Sequence, residues 1–271
     1  MEKTLSHTPL TYEDTGKGPV VVLLHGFAED STLWKHQVAL LAPHYRVIAP
    51  DWPGSGLSPL GPGEPPGAGE PSMESFAGLL HTLLVHERID RAVVIGHSMG
   101  GYVALAFAEA YPDFVAGLGL FHSTAFADTP EKIQTRKRGQ AFIRENGAAL
   151  FIKQSTPNLF ADAFKATHAG EVTALLQRGD HFQPEALIGY YEAMLQRPDR
   201  THVLTGSTVP VLLIAGAQDN AVPLADSLRQ AALAPTTFFH ILAGTAHMGM
   251  WEAREASGRI LLEYLAYVYK Q

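Results

Sequence analysis

The sequence of 271 residues contains no cysteine. That absence removes disulfides, thiolate nucleophiles and cysteine-ligated metals together, and it suits a reducing compartment. Long hydrophobic runs are missing too. No apolar stretch reaches the roughly 18 residues that a membrane-crossing helix needs, and the opening "MEKTLSHTPLTYEDTGKG" lacks the apolar segment of a signal peptide. The expectation is a cytoplasmic chain with no membrane segment. Positive charge is in short supply: 20 Lys and Arg stand against 27 Asp and Glu, a formal net charge of -7. Such a surface repels phosphate backbones and anionic lipid, so neither nucleic acid nor a membrane is expected as a partner. The one dense basic stretch, "KIQTRKRG" at 132–139, reads as a solvated helix face. What is present is apolar enough for a packed core, at 46% hydrophobic and 17% charged residues, and too apolar for a disordered chain.

Short, β-branched apolar runs recur along the chain: "VVVLL" at 20–24, "RVIA" at 46–49, "AVVI" at 92–95, "GLGLF" at 117–121, "VLLIA" at 211–215 and "FFHIL" at 238–242. Runs without polar alternation suit strands buried on both faces, as in a parallel sheet covered by helices. Between them, helical spacing appears over Thr32 to Leu41, Ser72 to His86, Met99 to Ala110, Pro223 to Leu233 and Ala253 to Tyr267. This succession predicts a doubly wound α/β fold. The segment "LTYEDTGKGP" alternates and turns at Gly16 and Gly18, which predicts an antiparallel edge hairpin. Strand signals then vanish from His122 to about Ser207. In their place stand amphipathic segments at Pro130 to Gly147, Ala161 to Gly179 and Pro184 to Gln196, a helical insertion whose aromatic residues divide between core and pocket. The Pro- and Gly-rich "SPLGPGEPPGAGEPS" at 58–72 reads as a surface loop.

One stretch carries chemistry. In "RAVVIGHSMGG" at 91–101 a buried strand runs directly into Gly96, His97, Ser98, Met99, Gly100 and Gly101, and a helix-forming "YVALAFAEA" follows. A bare G-x-S-x-G match is weak evidence; this one has strand before it and helix after it. In so tight a turn the serine takes strained dihedrals, and side chains larger than hydrogen at the flanking glycines would strike the neighbouring strand and helix. The hydroxyl is thereby held out at the carboxyl edge of the sheet, near the helix amino terminus, which favours negative charge.

These residues resemble the α/β-hydrolase family and its nucleophile elbow. The resemblance spans nearly the whole chain: "HGF" at 25–27, "DWPGSGLS" at 51–58, "GHSMGG" at 96–101, "AGAQD" at 215–219 and "GTAHMGMWE" at 244–252. It implies an α/β-hydrolase core of residues 1–121 and 208–271, with 122–207 inserted as a helical cap. It also implies the partners that Ser98 needs, since a serine hydroxyl is a poor nucleophile without a base and an acceptor to orient that base. His247 stands in the glycine-containing loop where the family places its catalytic histidine. Asp219, in the turn after "VLLIAGAQ", completes the family's chain order of Ser, Asp, His. The family's other acid position would fall near "FHST" at 121–124, which holds no carboxylate. The resemblance assigns the oxyanion-binding amides to Phe27 and Met99.

Of the remaining histidines, His240 lies inside a strand. His7, His36, His44, His81, His86, His168, His181 and His202 have ordinary surface or helix contexts. His97 adjoins Ser98 with no orienting acid in view. His25 and Gly26 open the "HGF" turn, which His25 braces, and His122 begins the insertion and can face the pocket. "DWPGSGLS" reads as a structural turn.

The chemistry implied is acyl transfer on a small-molecule substrate, without metal or organic cofactor. Family members that open epoxides or remove halides carry an aspartate at the position of Ser98, which argues against both activities. "HGFAED" also lacks the "HGGG" and "HGGPG" signatures of other branches. The resemblance therefore points to a carboxylic-ester hydrolase. Two alternatives stand beside it: a carbon-carbon bond hydrolase or lyase using the same three residues, and a ligand-binding relative with negligible turnover.

Overall fold

Val21 and Leu23 pack into one hydrophobic layer, Val22 and Leu24 into another, and all four are fully buried. Successive side chains of a strand point to opposite faces, so a strand covered on both sides has no place for a polar residue. The computed structural model describes residues 1–5, 10–60 and 71–270. Its strands are β1 (Glu2–Thr4), β2 (Thr11–Thr15), β3 (Val20–Leu24), β4 (Arg46–Pro50), β5 (Ala92–His97), β6 (Val115–Phe121), β7 (Val211–Gly216) and β8 (Thr237–Leu242). Among the described residues they form a single sheet in the order β1-β2-β4-β3-β5-β6-β7-β8, parallel from β4 onward.

Helices α1 (Lys35–Leu41), α2 (Met73–His86) and α3 (Met99–Ala110) fill the first crossovers. Between β6 and β7 lie α4 (Pro130–Asn146), α5 (Ala148–Ser155), α6 (Asp162–Thr167), α7 (Ala169–Gln177), α8 (Pro184–Gln196) and α9 (Thr201–Thr205). The chain finishes with α10 (Leu224–Gln230), α11 (Gly249–Glu252) and α12 (Arg254–Lys270). Val38 and Leu41 of α1 and Leu261 and Leu265 of α12 pack in the layer of Val21 and Leu23. Phe76 and Leu80 of α2 and Val103 and Phe107 of α3 pack in the other. Helix starts follow local chemistry: Ser72 and Ser75 cap α2 reciprocally, and Thr129 caps α4 with Pro130 just inside. No described helix is long and apolar enough to cross a membrane.

The doubly wound α/β reading holds, with corrections. The expected hairpin across Gly16 and Gly18 does not form. Instead β2 pairs antiparallel with β1 on one side and β4 on the other, and β3 lies beyond β4. The two glycines do turn the chain, at φ 85 and 104. The run that follows them, however, is buried on both faces and needs a strand on each side, which only the sheet interior supplies. The helix expected from Thr32 begins as a 3-10 turn over Ser31–Trp34, capped by Asp30. The one expected from Ala161 to Gly179 is two, separated at His168, and α5, after the left-handed Gly147, went unforeseen. Most of the expected 58–72 loop, residues 61–70, lies outside the described residues, as does His7.

Candidate active site

Ser98 joins β5 to α3 at φ 50 and ψ -116, a conformation that is costly for any residue with a Cβ. Its neighbours permit it. A Cβ on Gly96 would lie 2.1 Å from the Gly100 carbonyl group, and one on Gly100 would lie 2.4 Å from Leu24 O. Strand, turn and helix thus touch backbone to backbone. The Ser98 amide donates to Phe121 O at 3.1 Å, and its carbonyl accepts from Ser123 Oγ at 2.7 Å, so the main chain is fixed while the side chain is not. Among the described residues the Ser98 hydroxyl makes no hydrogen bond. The loop of Gly26 and Phe27 runs alongside: a Cβ on Gly26 would meet Ser98 Cβ at 3.1 Å. The Phe27 and Met99 amides likewise have no acceptor among the described residues.

Asp219 and His247 come together from the ends of β7 and β8. His247 Nδ1 donates to Asp219 Oδ2 at 2.8 Å, and both residues are buried. The other carboxylate oxygen accepts the amides of Ala221 and Val222 at 2.8 and 2.9 Å. Burial alone would raise the Asp219 pKa; the nearby positive charge of His247 and the imidazole hydrogen bonds reverse that and hold it far below the usual carboxylate range. Burial likewise works against a charged His247, and the Asp219 charge and hydrogen bond outweigh it, so its pKa lies above the ordinary 6.5. The His247 Nε2 has no hydrogen-bond partner among the described residues. Two unpaired atoms, Ser98 Oγ and His247 Nε2, are therefore available to a reacting group, and contacts of this kind often tighten only with substrate.

His97 links these parts, and the expectation that it lacks an acid is corrected. Its Nδ1 pairs with Glu29 Oε2 at 2.9 Å, its Nε2 donates to the His247 carbonyl at 3.0 Å, and its ring centroid lies 4.8 Å from that of His247. Glu29 also accepts the Gly26 amide at 2.7 Å, so one carboxylate ties the loop after β3 to the residue before Ser98. Burial pushes the Glu29 pKa up, and His97 and the Gly26 amide more than reverse it. An acid three residues beyond "HG" in an otherwise apolar turn is the only sequence signal for this pairing. His25 accepts the Trp52 amide on Nε2 at 3.1 Å and donates from Nδ1 to Gly26 O at 2.8 Å, which fastens the "DWPGSGLS" turn to the sheet edge.

Glu252 escaped the sequence reading, and His122, expected near the site, has a partner that the sequence did not reveal. His122 is fully buried with Nδ1 3.0 Å from Asp219 Oδ2. Glu252 of α11 accepts the amides of Ala246 and Met248, on either side of His247, and also that of Ala161, between β6 and β7. The His247 amide itself donates to Leu159 O at 2.9 Å. His122, Asp219 and His247 bring potential ligand atoms within 4.8 Å of one another. Both rings already direct Nδ1 protons at Asp219, so the trio is arranged as a hydrogen-bond cluster.

Aromatic side chains roof this edge. Phe27 stacks on Tyr191 of α8 at 4.2 Å and meets Phe151 of α5 edge-on. A cavity of about 30 Å³ lies beneath, lined by Phe27, Glu29, Ile152, Leu159, Phe182 and Met248 among others. It is room for about two or three waters, since a single site needs roughly 10 to 15 Å³. A larger cavity of about 760 Å³, lined by Tyr12, Asp51 and Leu57 but by none of Ser98, Asp219 or His247, adjoins it at Asp30 and Phe182.

The family model described as alpha/beta hydrolase fold matches residues 19–254, and the chain belongs to that family. It is 32% identical, over 94% of its length and 90% of the relative's, to a 2-hydroxy-6-oxononadienedioate/2-hydroxy-6-oxononatrienedioate hydrolase of Burkholderia vietnamiensis. It is 26% identical, over 98% of its length and 94% of the relative's, to a 2-hydroxy-6-oxo-6-phenylhexa-2,4-dienoate hydrolase of Burkholderia cepacia. The solved structure of a thermophilic esterase from Thermogutta terrifontis superimposes with a TM-score of 0.89 at 32% identity, covering 99% of this chain and 98% of that one. Relatives named as dienedioate and dienoate hydrolases thus stand beside a structural neighbour named as an esterase.

Proposed function

We propose that this chain is a serine hydrolase that cleaves carboxylic esters of small molecules through an acyl-enzyme on Ser98. The observation that carries the reading is the 2.8 Å bond from His247 to an ionised, buried Asp219 at the same sheet edge as the strained Ser98. In this mechanism Ser98 Oγ attacks the ester carbonyl carbon while His247 Nε2 takes its proton. The oxyanion forms against the free amides of Phe27 and Met99, and the intermediate collapses as His247 returns the proton to the departing alkoxide. Water, deprotonated by His247, then releases the acid. Nucleophile, base and orienting acid all come from side chains, so the reading calls on no metal or organic cofactor. Residues 122–207 act as a cap that shapes the pocket, and the absence of cysteine together with the charge of -7 supports a cytoplasmic setting without nucleic-acid or membrane partners.

The relatives' names favour one second reading, carbon-carbon bond hydrolysis with the same residues. A panel of p-nitrophenyl esters of increasing acyl length, run beside a 2-hydroxy-6-oxo-dienoate, separates the two. Ester turnover with a burst of acyl-enzyme supports the proposal, and turnover of the dienoate alone transfers it to the second reading. A fluorophosphonate that labels Ser98 in a protein turning over neither would favour a ligand-binding role. The pH profile is a separate expectation. His247 accepts a proton only when neutral, so kcat/KM falls about tenfold per unit of pH below its raised pKa, with the half-point above 6.5. A profile flat down to about pH 4 would remove His247 from the mechanism.

A further inference from the structure

His122 follows β6 with its backbone at φ 50, the same left-handed departure that Ser98 makes after the adjacent β5. Its amide donates to Ile214 O of β7 at 2.8 Å, which directs the ring along the sheet edge toward the turn of Asp219. There its Nδ1 approaches Oδ2 at 3.0 Å, the oxygen that His247 reaches at 2.8 Å. An ionised carboxylate only accepts, so each ring donates from Nδ1. The His122 Nε2 is then a bare nitrogen, fully buried and without a hydrogen-bond partner. A Cβ on Gly249 would lie 2.4 Å from that atom, and one on Gly216 would lie 2.8 Å from the ring carbon beside it. An apolar ring would fill this space without stranding a nitrogen. What the imidazole adds is a single proton aimed at Asp219.

We propose that His122 is a positioning residue of the catalytic machinery: its Nδ1 proton anchors Asp219 Oδ2 and shares that oxygen's charge, so that the carboxylate orients His247 without gripping its imidazolium too tightly. The proposal rests on the reading of His247 as the base. That base takes a proton from Ser98 and surrenders it to the leaving alkoxide, and a carboxylate with one donor on Oδ2 would favour the first step at the expense of the second. Burial keeps His122 neutral, its pKa pushed down to about 4 against the pull of Asp219, so the donor stays in place while His247 titrates. The other charged or titratable groups facing this cluster are His97, Glu29, Lys132 and Glu252, and none is altered in the test below.

The test compares His122→Leu, which removes the donor, with His122→Asn, whose amide can donate from nearly the same point, and with Ser98→Ala. With p-nitrophenyl butyrate, His122→Leu should lower kcat roughly 10- to 100-fold, the worth of one hydrogen bond to a charged group, while KM changes little. The acid limb of kcat/KM should move to higher pH, by about half a unit or more, because Asp219 then stabilises the His247 imidazolium more strongly. His122→Asn should return the limb to its wild-type position. An acid limb unmoved in His122→Leu, or one equally displaced in both variants, would overturn the proposal. Nitrogen-15 spectra of the wild-type protein test it without any variant: His122 should carry its proton on Nδ1, and a proton on Nε2 would overturn it. Turnover that survives Ser98→Ala would remove the catalytic reading and the proposal together. A silent His122→Leu beside a dead Ser98→Ala would remove the proposal alone.

Discussion

On the mechanism proposed above, Ser98→Ala should abolish ester turnover, with kcat falling by roughly 10⁴ to 10⁶, and should leave the fold intact. The size follows from what is lost. The free amides of Phe27 and Met99 can still polarise a carbonyl, but no atom remains to form the acyl-enzyme, and His247 is left with only water to activate. His247→Ala should cost about as much, since nucleophile and base act as one unit and their losses do not add. The burst of p-nitrophenol disappears in both variants. Melting temperature should stay close to wild type in Ser98→Ala, because the Ser98 hydroxyl bonds to nothing among the described residues. A Ser98→Ala protein within tenfold of wild type would defeat the assignment.

Gly96→Ala should strike the fold first and activity as a result. Its Cβ would enter space held by the Gly100 carbonyl group at 2.1 Å. That obstacle is backbone at the start of α3, with no rotamer to move aside. Overpacking in a core usually costs about 1 to 3 kcal/mol, and a collision with main chain belongs at or above the top of that range. A loss of about 3 kcal/mol lowers the melting temperature by roughly 6 to 12 °C in a chain of this size. Ser98→Gly makes the opposite test of the same turn. It frees the backbone at φ 50, so the melting temperature holds or rises although activity is gone. Gly96→Ala melting with the wild type would mean that strand and helix are not in contact as described.

The strands around Ser98 were legible because each is buried on both faces, which turns geometry into an uninterrupted apolar run. β3 occupies the residues of "VVVLL" and α3 begins and ends where its spacing predicts. Order within the sheet was less so: nothing in "LTYEDTG" says that β2 pairs with β4, because pairing is chosen by partners distant in sequence. The same limit hid the supports of the site. Glu29 and His97 are 68 residues apart, and His122 and Asp219 are 97 apart. Strand register brings each pair together, Phe121 lying beside Ile214 so that the next residue of β6 looks onto the turn after β7. Ser98 advertises itself through its glycines. A histidine whose partner is a carboxylate in the loop after another strand carries no local mark.

Glu252 clasps Ala161 with the same carboxylate that holds Ala246 and Met248, and Leu159 accepts the His247 amide. The ceiling at residues 159–161 and the loop bearing the imidazole are thus riveted together. Any shift of residues 159–161 would therefore pull on the backbone of His247. Asp30 and Phe182, which line both the wide cleft and the narrow chamber, take no part in that fastening.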